Sequence, residues 1–93
     1  MMRERFASVW DAIEDDAATA ENLKLRSSLM LSLKRYIERE GLTQTEAARL
    51  FGVTQPRISN LVHGKITSFG LDLLVRMATS AGLRVRMKIE KAA

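Results

Sequence analysis

Apolar residues recur along this chain with two different periods, and the change between them organises everything else. From residue 22 to 40, side chains placed at about 100° per residue gather Leu23, Leu25, Leu29, Met30, Leu33, Tyr36 and Ile37 on one broad side, opposite Lys24, Ser28, Arg35, Glu38 and Arg39. That spacing predicts a long amphipathic helix. Leu31 alone falls among the polar residues, either as an isolated exposed leucine or as part of a partner surface. Gly41 stands where a C-cap glycine ends a helix. Thr43 and Glu46 have the capping-box spacing, and Ala47, Ala48, Leu50 and Phe51 give a second helix its buried side, ending at Gly52. Thr54 caps a third helix with Pro56 in its first turn, where a missing amide proton costs nothing. Ile58, Leu61 and Val62 form its inner face, and Gly64 ends it. Ser68 is the expected cap of a fourth helix, with Leu71, Leu74, Val75, Met77, Ala78 and Ala81 on one side and Gly82 at its close.

After Gly82 the period becomes two. Leu83, Val85, Met87 and Ile89 alternate with Arg84, Arg86, Lys88 and Glu90, which predicts one β-strand. A lone strand leaves its backbone edges unpaired, and no second strand is written in the chain, so the natural partner is the same strand of another copy. The expectation is a two-fold homodimer paired antiparallel around residues 83–90; a disordered tail is the weaker alternative. Arg84, Arg86 and Lys88 then either touch phosphates or keep the sheet soluble, the second being favoured. At the other end, Ser8 and Asp11 suggest a short helix through Val9, Trp10 and Ile13, and the acidic run from Asp15 suits the start of the long helix. The resulting division is an N-terminal arm at 1–20, a helical domain at 21–82, and a dimerisation strand and tail at 83–93.

Composition narrows the function classes. A chain of 93 residues builds one core, and 46% apolar with 28% charged residues is the balance of a folded globular protein. Without cysteine and with a single histidine, thiolate and multi-histidine metal sites are excluded; neither metal nor cofactor is expected. No apolar run exceeds three residues, so no membrane span or secretory signal is expected, and the chain reads as soluble and cytoplasmic. No nucleophile, base and stabiliser converge, so an enzyme is not expected; Asp15 and Asp16 are neighbours on an acidic arm, better suited to solvent or a protein. Charge is divided: residues 1–22 carry two basic against six acidic side chains, and residues 41–93 eight basic against three acidic. The basic half favours a polyanion such as DNA. The acidic arm favours a basic protein surface or is simply solvated.

Two short capped helices joined across Gly52 form an arrangement in which one helix crosses a DNA backbone and the next enters the major groove. The run Gln44 to His63 resembles the helix-turn-helix of the λ repressor and Cro type, with small Ala48 at the helix crossing, Gly52 at the turn, and Ile58 and Leu61 facing inward. The fold expected is an all-α, λ repressor-like helix-turn-helix bundle with a C-terminal β-strand. Over Asn22 to Ile89, roughly three quarters of the chain, the order of elements and the runs Leu42 to Ala48 and Gln55 to Ser59 resemble Xre-type antitoxins of bacterial toxin–antitoxin operons, the HigA-like group. That resemblance implies a dimeric repressor of its own operon that also neutralises a toxin, commonly an mRNA-cleaving endonuclease of the RelE and HigB kind. It turns Thr54, Gln55, Pro56, Ser59 and Asn60 toward the groove. Gln and Asn suit bidentate contact with adenine, and Pro56 suits a thymine methyl. Gln44 holds a phosphate or braces Gln55; Arg57 is within reach of a phosphate or a guanine; Lys65 and Thr43 suit phosphates. His63 is expected to be partly buried or phosphate-facing, not a metal ligand. A dimer with recognition helices about 34 Å apart reads an inverted-repeat operator. The toxin surface is expected on Trp10, Asp11, Glu14, Asp15, Asp16 and Leu31. The competing readings are a regulator without a toxin, stand-alone or from a phage, and a protein inhibitor whose helix-turn-helix is only a scaffold.

Overall fold

The computed structural model describes residues 2–92, with side chains from Asp16 onward. In chain order it forms α1 (Met2–Arg39), α2 (Gln44–Phe51), α3 (Gln55–Val62), a 3-10 turn (Ile66–Ser68) and α4 (Leu71–Ser80). Where a short helix and a separate long one were expected, α1 runs unbroken through residues 20 and 21. The reason is compositional: all five glycines and the one proline lie beyond residue 40, so nothing in the first 39 residues stops a helix once begun. Asp16 to Asn22 are exposed along it. Burial begins with Leu23 and Arg26 and deepens through Met30, Leu33 and Ile37, which stand three and four residues apart on one face.

That face closes over the shorter helices. Ala47 and Ala48 of α2 are buried, their small side chains letting neighbouring helices approach closely. Phe51, Ile58, Leu61, Phe69, Leu74 and Met77 are the large side chains sealed at the centre. Tyr36 of α1 meets Phe51 edge to face, ring centroids 6.2 Å apart at 70°, the arrangement favoured by aromatic quadrupoles. The expected inner face of α4 is narrower than its spacing implies: Leu74, Met77 and Ala78 are buried, and Val75 is exposed. The cap of α4 is Gly70, whereas Ser68 lies in the 3-10 turn.

The expected β-strand is absent: among the described residues no strand forms, and residues 83–92 carry no ladder. The period-two pattern survives in burial: Leu83 and Val85 are half-buried against the core, Arg84 and Arg86 exposed. Beyond them the alternation has nothing to cover it, for Met87 is 73% exposed and Ile89 fully so. A strand exists only through a hydrogen-bonded neighbour, and one copy of the chain supplies none.

Candidate nucleic-acid interface

The site is built from two helix starts and one glycine. Thr43 sits in the extended region (φ −70°, ψ 165°); its Oγ1 accepts from the Glu46 amide at 3.1 Å, and Glu46 Oε1 accepts from the Thr43 amide at 2.9 Å. Both orphan donors are thus satisfied reciprocally. The Thr43 amide holds the Glu46 carboxyl below its ordinary range, the Thr43 side chain and nearby Arg49 adding to the effect. At the far end of α2, Gly52 adopts the left-handed region (φ 69°), and the Val53 amide donates back to the Ala48 carbonyl at 2.9 Å. A Cβ at Gly52 would stand 3.1 Å from Ser80 Oγ, which itself donates to the Leu50 carbonyl at 3.0 Å. The turn is therefore pinned to α4 from outside. Two residues later Thr54 Oγ1 accepts from the Arg57 amide at 3.3 Å and α3 begins, with Pro56 in its first turn.

With Ile58 and Leu61 buried, helical spacing turns Pro56, Ser59 and Asn60 away from them and leaves Gln55 on the flank of α3; Gln55 and Pro56 are exposed, Ser59 and Asn60 half-buried. Gln44, Thr43 and Thr54 at the two helix starts are exposed, and so is Lys65 just beyond α3. Gln55, Pro56, Ser59 and Asn60 are thus the residues of α3 that its buried face leaves accessible. Thr43 and Thr54 already spend an oxygen lone pair on their caps, so toward a ligand each offers its hydroxyl proton.

Arg57 has a different place from the one expected. Its guanidinium donates to the Ser68 carbonyl at 2.7 Å and lies 5.8 Å from the Phe69 ring centroid, directed at its own chain rather than outward. Arg26, which sequence reasoning missed, reaches the same segment from α1, with one nitrogen 3.3 Å from the Ile66 carbonyl and 3.2 Å from that of Phe69. Two arginines thereby hold the carbonyls of the turn that follows Lys65. The signal was in the spacing, because residues 26, 30, 33 and 37 form one helical stripe and a polar residue on a buried stripe needs a partner. His63 is exposed, not partly buried, and its Nδ1 lies 2.7 Å from the Ser59 carbonyl.

Of the residues expected to meet a toxin, Asp16 and Leu31 have described side chains. Both are exposed on α1 but stand 15 residues apart, roughly 22 Å along a helix. The side chains of Trp10, Asp11, Glu14 and Asp15 lie outside the described residues. Of the expected dimerisation residues, Leu83 and Val85 border a groove of about 460 Å³ between α1 and α4 that also exposes Leu25 and Val75. Met87 sits at its edge. No helix among the described residues is long and apolar enough to cross a membrane.

A family model described as a helix-turn-helix domain matches residues 12–90, a span holding the last three quarters of α1, the paired helices, α4 and most of the C-terminal segment. No curated protein matches the chain.

Proposed function

The chain belongs to this helix-turn-helix domain family, and from that premise we propose that it is a sequence-specific DNA-binding repressor, a binding protein rather than a catalyst, acting in the cytoplasm. The observation that carries the reading is the polar set Gln55, Ser59 and Asn60 left accessible on a helix whose inner face is locked by Ile58 and Leu61. Side chains fixed in this way read base edges, because a small number of amide and hydroxyl groups held in register discriminates sequence better than mobile charges do.

The operative form in this proposal is a homodimer joined through residues 83–90. Its support is the exposed apolar edge of Met87 and Ile89 beside the groove that bares Leu25 and Val75, surface that a second copy would cover. Two copies related by a two-fold axis read an inverted repeat with half-sites about one helical turn apart. The finer role is that of an antitoxin that represses its own operon and neutralises an mRNA-cleaving toxin. It rests on the likeness to Xre-type antitoxins of Leu42 to Ala48 and Gln55 to Ser59, with the acidic arm as the candidate surface for a basic toxin.

Fluorescence anisotropy against the duplex upstream of the chain's own coding sequence and against a scrambled duplex, over a salt series, tests the reading. Specific binding that persists at physiological salt supports it, whereas equal weak binding to both duplexes leaves the helix-turn-helix a scaffold. Asn60→Ala is expected to weaken binding to the specific duplex by about 1–3 kcal/mol and leave scrambled DNA nearly unchanged. Equal losses on both would remove Asn60 from base reading.

A further inference from the structure

We propose that Arg57 and Arg26 are positioning residues for DNA recognition: they fix the roll of α3 by tying it and α1 to the turn that follows α3, and neither guanidinium touches the DNA. The inference rests on the DNA-binding reading above and specifies what sets its discrimination. Arg57 is the one basic side chain within α3, and charge alone would assign it to a phosphate. Its partners are already within the chain. At about 100° per residue it stands on the flank of α3 between inward Leu61 and outward Asn60. It is half-buried, and its guanidinium donates to the Ser68 carbonyl at 2.7 Å and lies 5.8 Å from the ring centroid of Phe69, which is sealed in the core. From α1, Arg26 donates to the Ile66 and Phe69 carbonyls at 3.3 and 3.2 Å, its Nε buried without a partner. Both arginines therefore close on one stretch, Ile66 to Phe69.

A short helix anchored by apolar contacts keeps one freedom. Ile58 and Leu61 are buried three residues apart, about 4.5 Å along the axis, and such non-directional contacts set the depth of α3 more firmly than its rotation about that axis. A roll of about 20° would carry side-chain tips about 6 Å from the axis through about 2 Å, well beyond the spread of hydrogen-bond lengths. What opposes a roll is a directional contact off the axis. Arg57 supplies it, because a planar guanidinium laid against a core ring and bonded to a carbonyl is held in one orientation. That contact is only as firm as the turn it grips. The turn is tied to α3 by the Lys65 amide, which donates to the Asn60 carbonyl at 2.9 Å, and to α1 by Arg26. Among the described residues the only ion pair is Lys88 with Glu90, so neither arginine is held by a carboxylate. The hold is hydrogen-bond geometry and stacking rather than charge, which makes lysine, a cation without the planar fork, the discriminating replacement.

The test is the dissociation constant for the upstream and scrambled duplexes, for the natural chain, Arg57→Lys, Arg26→Lys and the double variant, each shown to be folded by circular dichroism. The expected result is upstream binding about tenfold weaker in each single variant, roughly one base pair's worth of discrimination, with scrambled binding and the salt slope unchanged because the charge is kept. Both side chains act through one turn, so the double variant loses much less than the product of the single losses. An Arg57 that contacts a phosphate would be served by lysine and leave both duplexes bound as before, which overturns the proposal. So do equal losses on both duplexes, full discrimination in Arg26→Lys, or a lowered melting temperature with the ratio of dissociation constants intact, the mark of a merely structural role. A second measurement needs no variant: in the natural chain, nuclear Overhauser contacts between the Arg57 side chain and the Phe69 ring persist in the presence of saturating upstream duplex. Their loss would mean that the guanidinium leaves Phe69 for DNA, and the proposal fails. Absence of a preference for the upstream duplex in the natural chain is a separate outcome: it removes the DNA-reading function itself, and the proposal with it.

Discussion

Residues 43–62 and residues 83–92 are written in equally plain patterns, yet only the first folds as its pattern implies. In α2 and α3 the amides at the two helix starts and at the turn are satisfied within a few residues. Thr43 and Glu46 satisfy each other's amides, Thr54 satisfies that of Arg57, and Gly52 lets the Val53 amide return to Ala48. The C-terminal segment alternates just as regularly, but a strand's demands are met only by a neighbouring backbone. Its first half borrows cover from the core at Leu83 and Val85, and its second half, from Met87, finds none. Local hydrogen bonding makes a pattern self-sufficient; ladder bonding makes it conditional on a partner.

The sharpest way to break the comparison is the paired substitution of Met87 and Ile89 by lysine, which spares the half-buried Leu83 and Val85. If the segment's partner is a second copy, the variant sediments as a monomer, and losing the second half-site lowers operator affinity by about 10²- to 10⁴-fold. Chemical unfolding of the monomer itself should change by less than about 0.5 kcal/mol, because both side chains are already in water. A variant that still sediments as a dimer would place the interface elsewhere.

The closed region responds in the opposite sense. Ile58 is fully buried on the inner face of α3, and Ile58→Ala should cost about 2–5 kcal/mol by urea unfolding through lost burial and the cavity left behind. A loss below about 1 kcal/mol would mean that the recognition helix is not locked from within, and its outward row would lose its register.

The same contrast explains how much was legible beforehand. Helix ends marked by Gly41, Gly52 and Gly64, the capping threonines, and the inward Ile58 and Leu61 follow from short-range sterics and hydrogen bonding, and they stand where their spacing put them. What failed depended on distant groups. Arg57 read as an outward charge until Ser68 and Phe69, eleven and twelve residues on, came within its reach. Ser68 read as a cap until the 3-10 turn placed it before Gly70. Of the candidate site, the outward row was visible as a helical period, whereas the loop clamp needed Arg26 brought from 40 residues away. The continuity of α1 was hidden because Ser8 and the acidic residues from Asp15 have the chemistry of helix starts, whereas what keeps the helix unbroken is the absence of glycine and proline before residue 41.

A smaller effect separates two costs at the turns. Gly52 and Gly41 share a left-handed backbone, but a Cβ at Gly41 meets nothing within 4 Å, while one at Gly52 meets Ser80 Oγ at 3.1 Å. Gly41→Ala should cost about 1–2 kcal/mol for backbone strain alone. Gly52→Ala should cost more, because the Ser80 hydroxyl must also leave the Leu50 carbonyl. Equal losses in thermal unfolding would show that α4 does not pin the turn.

The smallest effect is a pH dependence confined to the closed region. The Thr43 amide stabilises the charged form of Glu46 and holds its carboxyl below the ordinary glutamate range. A carboxylate depressed in the folded state stabilises the fold at pH above its unfolded value, and that stabilisation is lost as pH falls through the folded value. Glu46→Gln should therefore lower the melting temperature slightly near neutrality, and the difference from the natural chain should shrink as pH drops through the glutamate range and beyond. Glu90 provides the comparison within the open segment. Its carboxylate meets only Lys88 at 3.9 Å, both side chains more than 70% exposed, and an ion pair so solvated contributes little. Glu90→Gln should leave the melting temperature unchanged at every pH. If it matched Glu46→Gln, the C-terminal segment would be making folded contacts that a single copy of the chain does not contain, and the partner surface would extend to Glu90.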